Sequence, residues 1–421
     1  QSILKTRCGN YFTKCCRYQN TRWGKPLSTN ISRRNLLMSA AALGGLAASP
    51  LPVRAKATNP AKPILVVFEL SGGNDGLNTH VPFGDDQYYR LRPKIGIKEP
   101  ALLKLDDYYG FNKSMSGMYK LWRDNQIAII KGCGYDNPSF SHFTSNAYMH
   151  SGVPHTGNAL GWVGRLADNL EPNYRENLIV NIASRQSPAV VSAHHTPIVF
   201  QDPGRFRQNE WMAPLAAAPA SRRSDSNLSF VRRVAESGKK TSFLIDEAWK
   251  NFKTETDYGI VPFGLQKVAA CIKAGFDTQL YYVSVPNNAF DTHVSQGPLH
   301  KRLLSYTSDA IHGFFADLAA DGLGSNVTML VYSEFGRRPG ENNNLGTDHG
   351  TANDMYLIGP QVNGGVYGKA PDLGNLNEDE NIRFTTDFRR VYATIIEDWF
   401  KVSSEKVLGQ KFKPFSKILR A

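Results

Sequence analysis

Residues 63–78, PILVVFELSGGNDGLN, constrain this chain more than any other stretch. Residues 64–68 are an unbroken series of β-branched, aliphatic and aromatic side chains, without the polar alternation of a half-solvated strand. Such a run reads as a strand buried on both faces, as in a parallel sheet covered by helices. It breaks into Ser71-Gly72-Gly73-Asn74-Asp75-Gly76, whose glycines permit tight turns. Ligands in open α/β sheets bind just beyond the carboxyl ends of the strands. Asp75 therefore stands where a cation or polar substrate would arrive, although Asp also serves simply to close turns.

The same pattern returns along the chain. Strands are expected at residues 127–130, 178–182, 280–285, 327–332 and 355–358. Helical periodicity falls at residues 114–124, 141–149, 161–169, 229–253 with a break near Gly238, 264–274, 299–321 and 387–400. This alternation predicts parallel crossovers, and hence an α/β fold with a mostly parallel sheet sandwiched between helices. Residues 82–100 read as a long polar loop. Periodicity also fails at residues 188–228, which predicts an inserted cap or lid region spanning about 188–260 within one domain of residues 58–421.

The net charge of +12 suggests a polyanion partner until it is mapped. Residues 1–57 hold ten Lys or Arg and no acid, leaving 39 basic against 37 acidic residues beyond them. The nearly neutral body excludes a nucleic-acid reading. The acid-free start has the parts of an export signal: Arg33-Arg34, a short Ala- and Gly-rich apolar segment from Met38 to Ala48, and Ala55-Lys56-Ala57. Paired arginines imply the twin-arginine translocation machinery as a partner, and so a periplasmic or secreted protein. An organelle transit peptide is the alternative. The apolar segment is too short for a permanent membrane anchor. Cys8, Cys15 and Cys16 lie in this leader, so the remaining Cys133 and Cys271 form no disulfide framework.

Residues of ligand type gather where strands end. Asp291-Thr292-His293 places two donors on one side of an extended segment. Ser333-Glu334-Phe335-Gly336-Arg337 follows the next strand, and Thr347-Asp348-His349-Gly350 lies shortly beyond. Carboxylates and imidazoles in this company suit zinc, manganese, calcium or magnesium. Ser141 begins a helix, a favoured capping place whose positive dipole end suits an oxyanion. Arg337 and Arg338 are candidates for holding an anion. His142, His150, His194 and His195 carry no comparable context.

Together the paired arginines, FELSGGNDGLNTHVPFGDDQYYRLRP, SHF, DTH, SEFGRRP, TDHGTAN and TDFRRVYATIIEDW resemble an exported bacterial family catalogued as domain of unknown function 1501. The resemblance runs from the leader to Phe400. That family is placed in the alkaline-phosphatase and sulfatase superfamily, which implies an alkaline-phosphatase-like sheet, one or two divalent metals, and hydrolysis of a phosphate or sulfate ester in a small molecule or polymer. Carried over, Asp75, Asp291, His293, Glu334, Asp348 and His349 are the implied metal ligands, Ser141 the nucleophile or the positioner of a water, and Arg337 the group that steers the anion. One departure stands out: the strand at 327–332 should run directly into Asp-His, yet Glu334-Phe335 follows. Either His349 supplies the distal histidine, or one metal site is altered or lost. A secreted binding or assembly protein that keeps the fold is therefore the rival expectation.

Overall fold

The structure is a computed structural model and describes residues 62–206 and 226–420, with side chains from residue 235 onward in the second stretch. The expected leader, its paired arginines, and residues 207–225 of the expected cap lie outside the described residues.

In chain order the elements are β1 (Ile64–Glu69), β2 (His80–Val81), α1 (Asp86–Leu91), β3 (Leu102–Lys104), β4 (Gly110–Asn112), α2 (Ser116–Arg123), β5 (Ile127–Gly134), α3 (His142–Ser151) and α4 (Trp162–Leu170). There follow β6 (Ile179–Ile182), β7 (Ile198–Phe200), α5 (Ser226–Asn251), α6 (Leu265–Lys273), β8 (Leu280–Ser284), α7 (Gln296–Ala320), β9 (Val327–Tyr332) and β10 (Asn353–Ile358). The chain closes with β11 (Gly365–Tyr367), β12 (Thr386–Asp387), α8 (Arg389–Thr394) and α9 (Ser404–Leu408).

Nine strands form the main sheet in the order β11-β5-β10-β9-β1-β8-β6-β7, with β12 also beside β5. β1 is central and parallel to β8 on one side and β9 on the other. β10 runs antiparallel to both its neighbours, β9 and β5. The apolar run of β1 explains the layering, because successive side chains of a strand point to opposite faces. Val66 and Phe68 enter a core with Met118 of α2, Ile245 of α5, Val268 of α6 and Phe314 of α7. Leu65 and Val67 enter a second core with Met149 of α3, Trp162 of α4, Tyr392 of α8 and Leu408 of α9. The molecule is thus a mixed α/β protein whose mostly parallel sheet is covered by helices on both faces.

Two expectations change. Residues 82–100 are not simply loop: Asp85 caps α1, its carboxylate accepting the Gln87 N–H at 2.9 Å. The segment within the expected cap contributes β7 to the main sheet, parallel to β6, and α5 runs unbroken past Gly238. Three residues of β7 carry too short an apolar signal to separate from loop. Among the described residues no helix is long and apolar enough to cross a membrane. Cys133 and Cys271 are buried free thiols.

Candidate metal centre

The carboxyl ends of β1, β8, β9 and β5 converge on one edge of the sheet. Because β10 is reversed, its approach segment arrives at this same edge, which brings Asp348 and His349 to the DTH segment after β8. The turn after β1 holds the assembly together. Gly72 and Gly73 have φ values of +116° and +74°, and a Cβ on them would lie 2.5 Å from the Asp291 nitrogen and 2.2 Å from the Phe335 ring. Only glycine fits such backbone. Both amides consequently reach the buried Glu334, Gly72 N–H at 2.8 Å from Oε1 and Gly73 N–H at 3.0 Å from Oε2.

Glu334 spends its remaining capacity on His142, whose Nδ1 lies 2.8 Å from Oε1. A carboxylate only accepts, so Nδ1 carries the proton and Nε2 faces away from it. That Nε2 is buried, has no hydrogen-bond partner, and lies 3.3 Å from Asp291 Oδ2. His349 repeats the arrangement: Nδ1 donates to the Phe140 carbonyl at 2.6 Å, while Nε2 sits 3.0 Å from Asp291 Oδ1. His293 does so a third time, with Nδ1 3.1 Å from Asp348 Oδ1 and Nε2 3.0 Å from His349 Nε2.

Three imidazoles therefore have their outer nitrogens engaged by acceptors and their inner nitrogens turned onto one carboxylate. The Nε2 atoms of His293 and His349 face each other at 3.0 Å and both lie against Asp291 Oδ1, an arrangement that a shared cation would satisfy. The ligand atoms of His142, Asp291 and His349 lie within 4.8 Å of one another. Imidazoles oriented by carboxylate or carbonyl partners on their other nitrogen are the usual setting of metal-bound histidine. The residues present fit a divalent ion, with His142, His349 and Asp291 as ligands and His293 beside them.

The hydrogen bond to Glu334 raises the His142 pKa, outweighing its partial burial. Burial alone would raise Asp291, but Arg337, His349 and His293 hold it down at about 2. Asp291 is an anion over the whole range in which imidazoles are neutral.

The expected residues divide. Asp291, His293, Asp348 and His349 come together with Glu334, but Glu334 and Asp348 act through histidines rather than facing the centre. Asp75 stands apart: it is fully buried, its Oδ2 2.7 Å from Arg92 and 2.5 Å from the Gln296 amide. Arg337 does not reach outward. Its side chain is buried and its fork donates to the carbonyls of Gly72, Gly73, Thr347 and Phe290 and, at 2.6 Å, to Asp291. Arg337 is a staple between three loops, and the partly exposed Arg338 is the freer cation. Ser141 is exposed and makes no capping bond. It is held between Phe140, whose carbonyl receives His349, and His142. His142 itself escaped the reading of the sequence, although the SHF motif that drew attention to Ser141 contains it.

The fold and this cluster define a class: an α/β protein with a histidine- and aspartate-lined centre at the carboxyl edge of its sheet. The chain belongs to the family described as Protein of unknown function (DUF1501), whose family model matches residues 61–411. No curated protein matches it. Among solved structures it is similar to the phosphonate monoester hydrolase of Agrobacterium radiobacter, at 7% identity and a TM-score of 0.39, over 83% of this chain and 78% of that one. It is similar to a phosphonate monoester hydrolase from Silicibacter pomeroyi at 9% identity and a TM-score of 0.38, over 85% and 78%. Alkaline phosphatase from the Antarctic bacterium TAB5 aligns at 11% identity and a TM-score of 0.32, over 73% and 95%.

Proposed function

We propose that this chain is an exported, metal-dependent hydrolase acting on a phosphate or sulfate ester. The observation that carries the reading is the set of inward-turned Nε2 atoms around Asp291, with the buried His142 Nε2 3.3 Å from Asp291 Oδ2. His142, His349 and Asp291 would hold a divalent ion, which would supply a Lewis acid for the ester oxygens and for a hydroxyl or water. The protein's own residues do the rest. Glu334, the Phe140 carbonyl and Asp348 hold the three Nδ1 protons, so that His142, His349 and His293 keep their inner lone pairs. Arg337 keeps Asp291 ionised and fixes the loops from β1, β8 and β9 against one another. Ser141, exposed at the start of α3 beside His142, is the nucleophile or positions the attacking water. The helix start at Ser141 offers unpaired backbone N–H groups to the anion.

A rival reading, a secreted binding or assembly protein, draws on a different observation. The Arg337 guanidinium already sits 2.6 Å from Asp291 Oδ1 and neutralises part of the charge that attracts a divalent ion. Elemental analysis of the protein purified without chelators decides between them. One or two ions per chain, together with turnover of an aryl phosphate, phosphodiester or sulfate, supports the hydrolase. Absence of metal after incubation with zinc, manganese, calcium and magnesium sinks it.

A further inference from the structure

The metal centre occupies only part of the sheet's carboxyl edge. Beside it, beyond β6 and β8, lies a cavity of about 520 Å³ whose wall includes Ser71, Arg185, Phe263, Lys267, Pro286 and Asn287. Through Ala183, Ser184, Gln201 and Lys267 it opens into a second hollow of about 630 Å³. This space matches a drug-sized or larger ligand, and far exceeds what one phosphate or sulfate group fills.

The groove adjoins loops that carry the metal centre. Ser71 immediately precedes the Gly72-Gly73 turn that holds Glu334, and its hydroxyl donates to Asn288 Oδ1 at 2.7 Å. The Asn288 carbonyl in turn receives the Asp291 N–H at 2.9 Å. The two loops that end the groove are thus the two that present Glu334's turn and Asp291. A molecule whose ester lies at the cluster has this groove as an adjoining space for its remainder.

The charged side chains of the first cavity are Arg185 and Lys267, while Asp202 lines the second hollow. Lys267 is half-buried and donates to the Gln201 carbonyl, and Arg185 is exposed. Among the described residues neither forms an ion pair. Asp202, the nearby carboxylate, is already paired with Arg205 at 3.5 Å. Burial pulls the Lys267 ammonium downward, with Asp202 opposing it. A partly desolvated cation without a carboxylate partner is stabilised by an incoming anion. Ile182 and Val285 supply apolar floor between the polar walls.

We propose that this groove is the subsite for the alcohol portion of the ester, and that this portion is an oligomeric chain bearing repeated anionic groups. The proposal rests on the hydrolase reading for its word "ester" and on Arg185 and Lys267 for its chemistry.

The test uses fully sulfated cellohexaose, with unsulfated cellohexaose as the neutral control, titrated into the metal-loaded full chain by calorimetry. The sulfated hexasaccharide binds the native protein, more weakly as salt rises, and the neutral one does not. The Arg185→Ala/Lys267→Ala double variant loses at least tenfold in affinity. A Lys113→Ala/Lys369→Ala control, which removes equal charge from exposed positions outside the groove, stays within twofold. Circular dichroism and Tm establish that both variants fold. No binding by the native protein, or equal loss in both double variants, overturns the proposal. Hydrolysis of small aryl esters without hexasaccharide binding removes the groove alone. Groove-dependent binding in a protein that neither holds metal nor turns over esters removes the hydrolase reading and leaves a polyanion site.

Discussion

Glu334 Oε1 lies 2.8 Å from His142 Nδ1, across 192 residues of chain, and the same carboxylate receives the amides of Gly72 and Gly73. One buried side chain therefore orients a histidine of the centre and closes the turn that follows the central strand.

Replacing Glu334 with Gln tests that double role. The amide is close in shape but offers one acceptor oxygen where the carboxylate offered two, and it leaves His142 Nδ1 without a charged acceptor. We expect divalent-ion affinity to fall about 10- to 100-fold, the usual cost of losing such an outer partner. Titration of the metal-free protein with zinc measures it. An unchanged affinity would separate His142 from metal binding.

Ser141 and His142 are neighbours with separable roles. Ser141→Ala is expected to abolish ester turnover while leaving bound metal at the native level. His142→Ala is expected to lower both. Metal content and kcat, measured on the same preparations, check the pair; native kcat in Ser141→Ala would exclude the serine from the reaction.

Gly73→Ala probes the turn itself. Its Cβ would lie 2.2 Å from the Phe335 ring at a φ of +74°. The substitution combines overpacking with backbone strain, each worth about 1–3 kcal/mol. Urea unfolding should show a lowered midpoint, and metal affinity should fall with it as the Glu334 bonds shift.

Acid sensitivity follows from two histidines away from the centre. His300 is fully buried and donates from Nε2 to Asn74 Oδ1 at 2.9 Å, and burial lowers its pKa from 6.5 to about 4. His80, beside Lys131 and Asp354, is lowered to about 4, first by burial and then by Lys131. A depressed folded-state pKa means that the unfolded chain binds the proton first. The stability these groups contribute is complete above about pH 6.5 and is lost as pH falls toward 4, each by on the order of 3 kcal/mol. Asp354, held at about 2 by Lys131 and His80 against its burial, extends the loss from pH 4 downward. Unfolding of the metal-free protein as a function of pH checks this, and His300→Gln should flatten the upper limb. A flat profile between pH 6.5 and 4 would refute it.

The sheet and its helical cover were legible because β1, β5, β8 and β9 are apolar on both faces, and helical period separates them. The direction of β10 was not, since a doubly buried strand has the same apolar signature whichever way it runs. Strand ends located Asp291, His293, Glu334, Asp348 and His349, but not which of them face inward. That depends on acceptors such as the Phe140 carbonyl, and a backbone carbonyl leaves no mark in a sequence. The pairing of Asp75 with Arg92, 17 residues on, was not legible because Arg92 belongs to a segment read as loop. The burial of Arg337 was not legible either, because the four carbonyls that accept from it, those of Gly72, Gly73, Phe290 and Thr347, come from three separate loops.

The reversal of β10 makes the passage from β9 to β10 a hairpin connection instead of a crossover. Glu334, Arg337, Asp348 and His349 all ride on those twenty or so residues, so half of the centre is a single contiguous cassette. A change in its length would move an orienting carboxylate, a staple and a ligand histidine at once. Diversification of such a protein is therefore freer elsewhere, on the β6 and β7 side, where loops can be recut without disturbing the cassette or the Asp291 segment after β8.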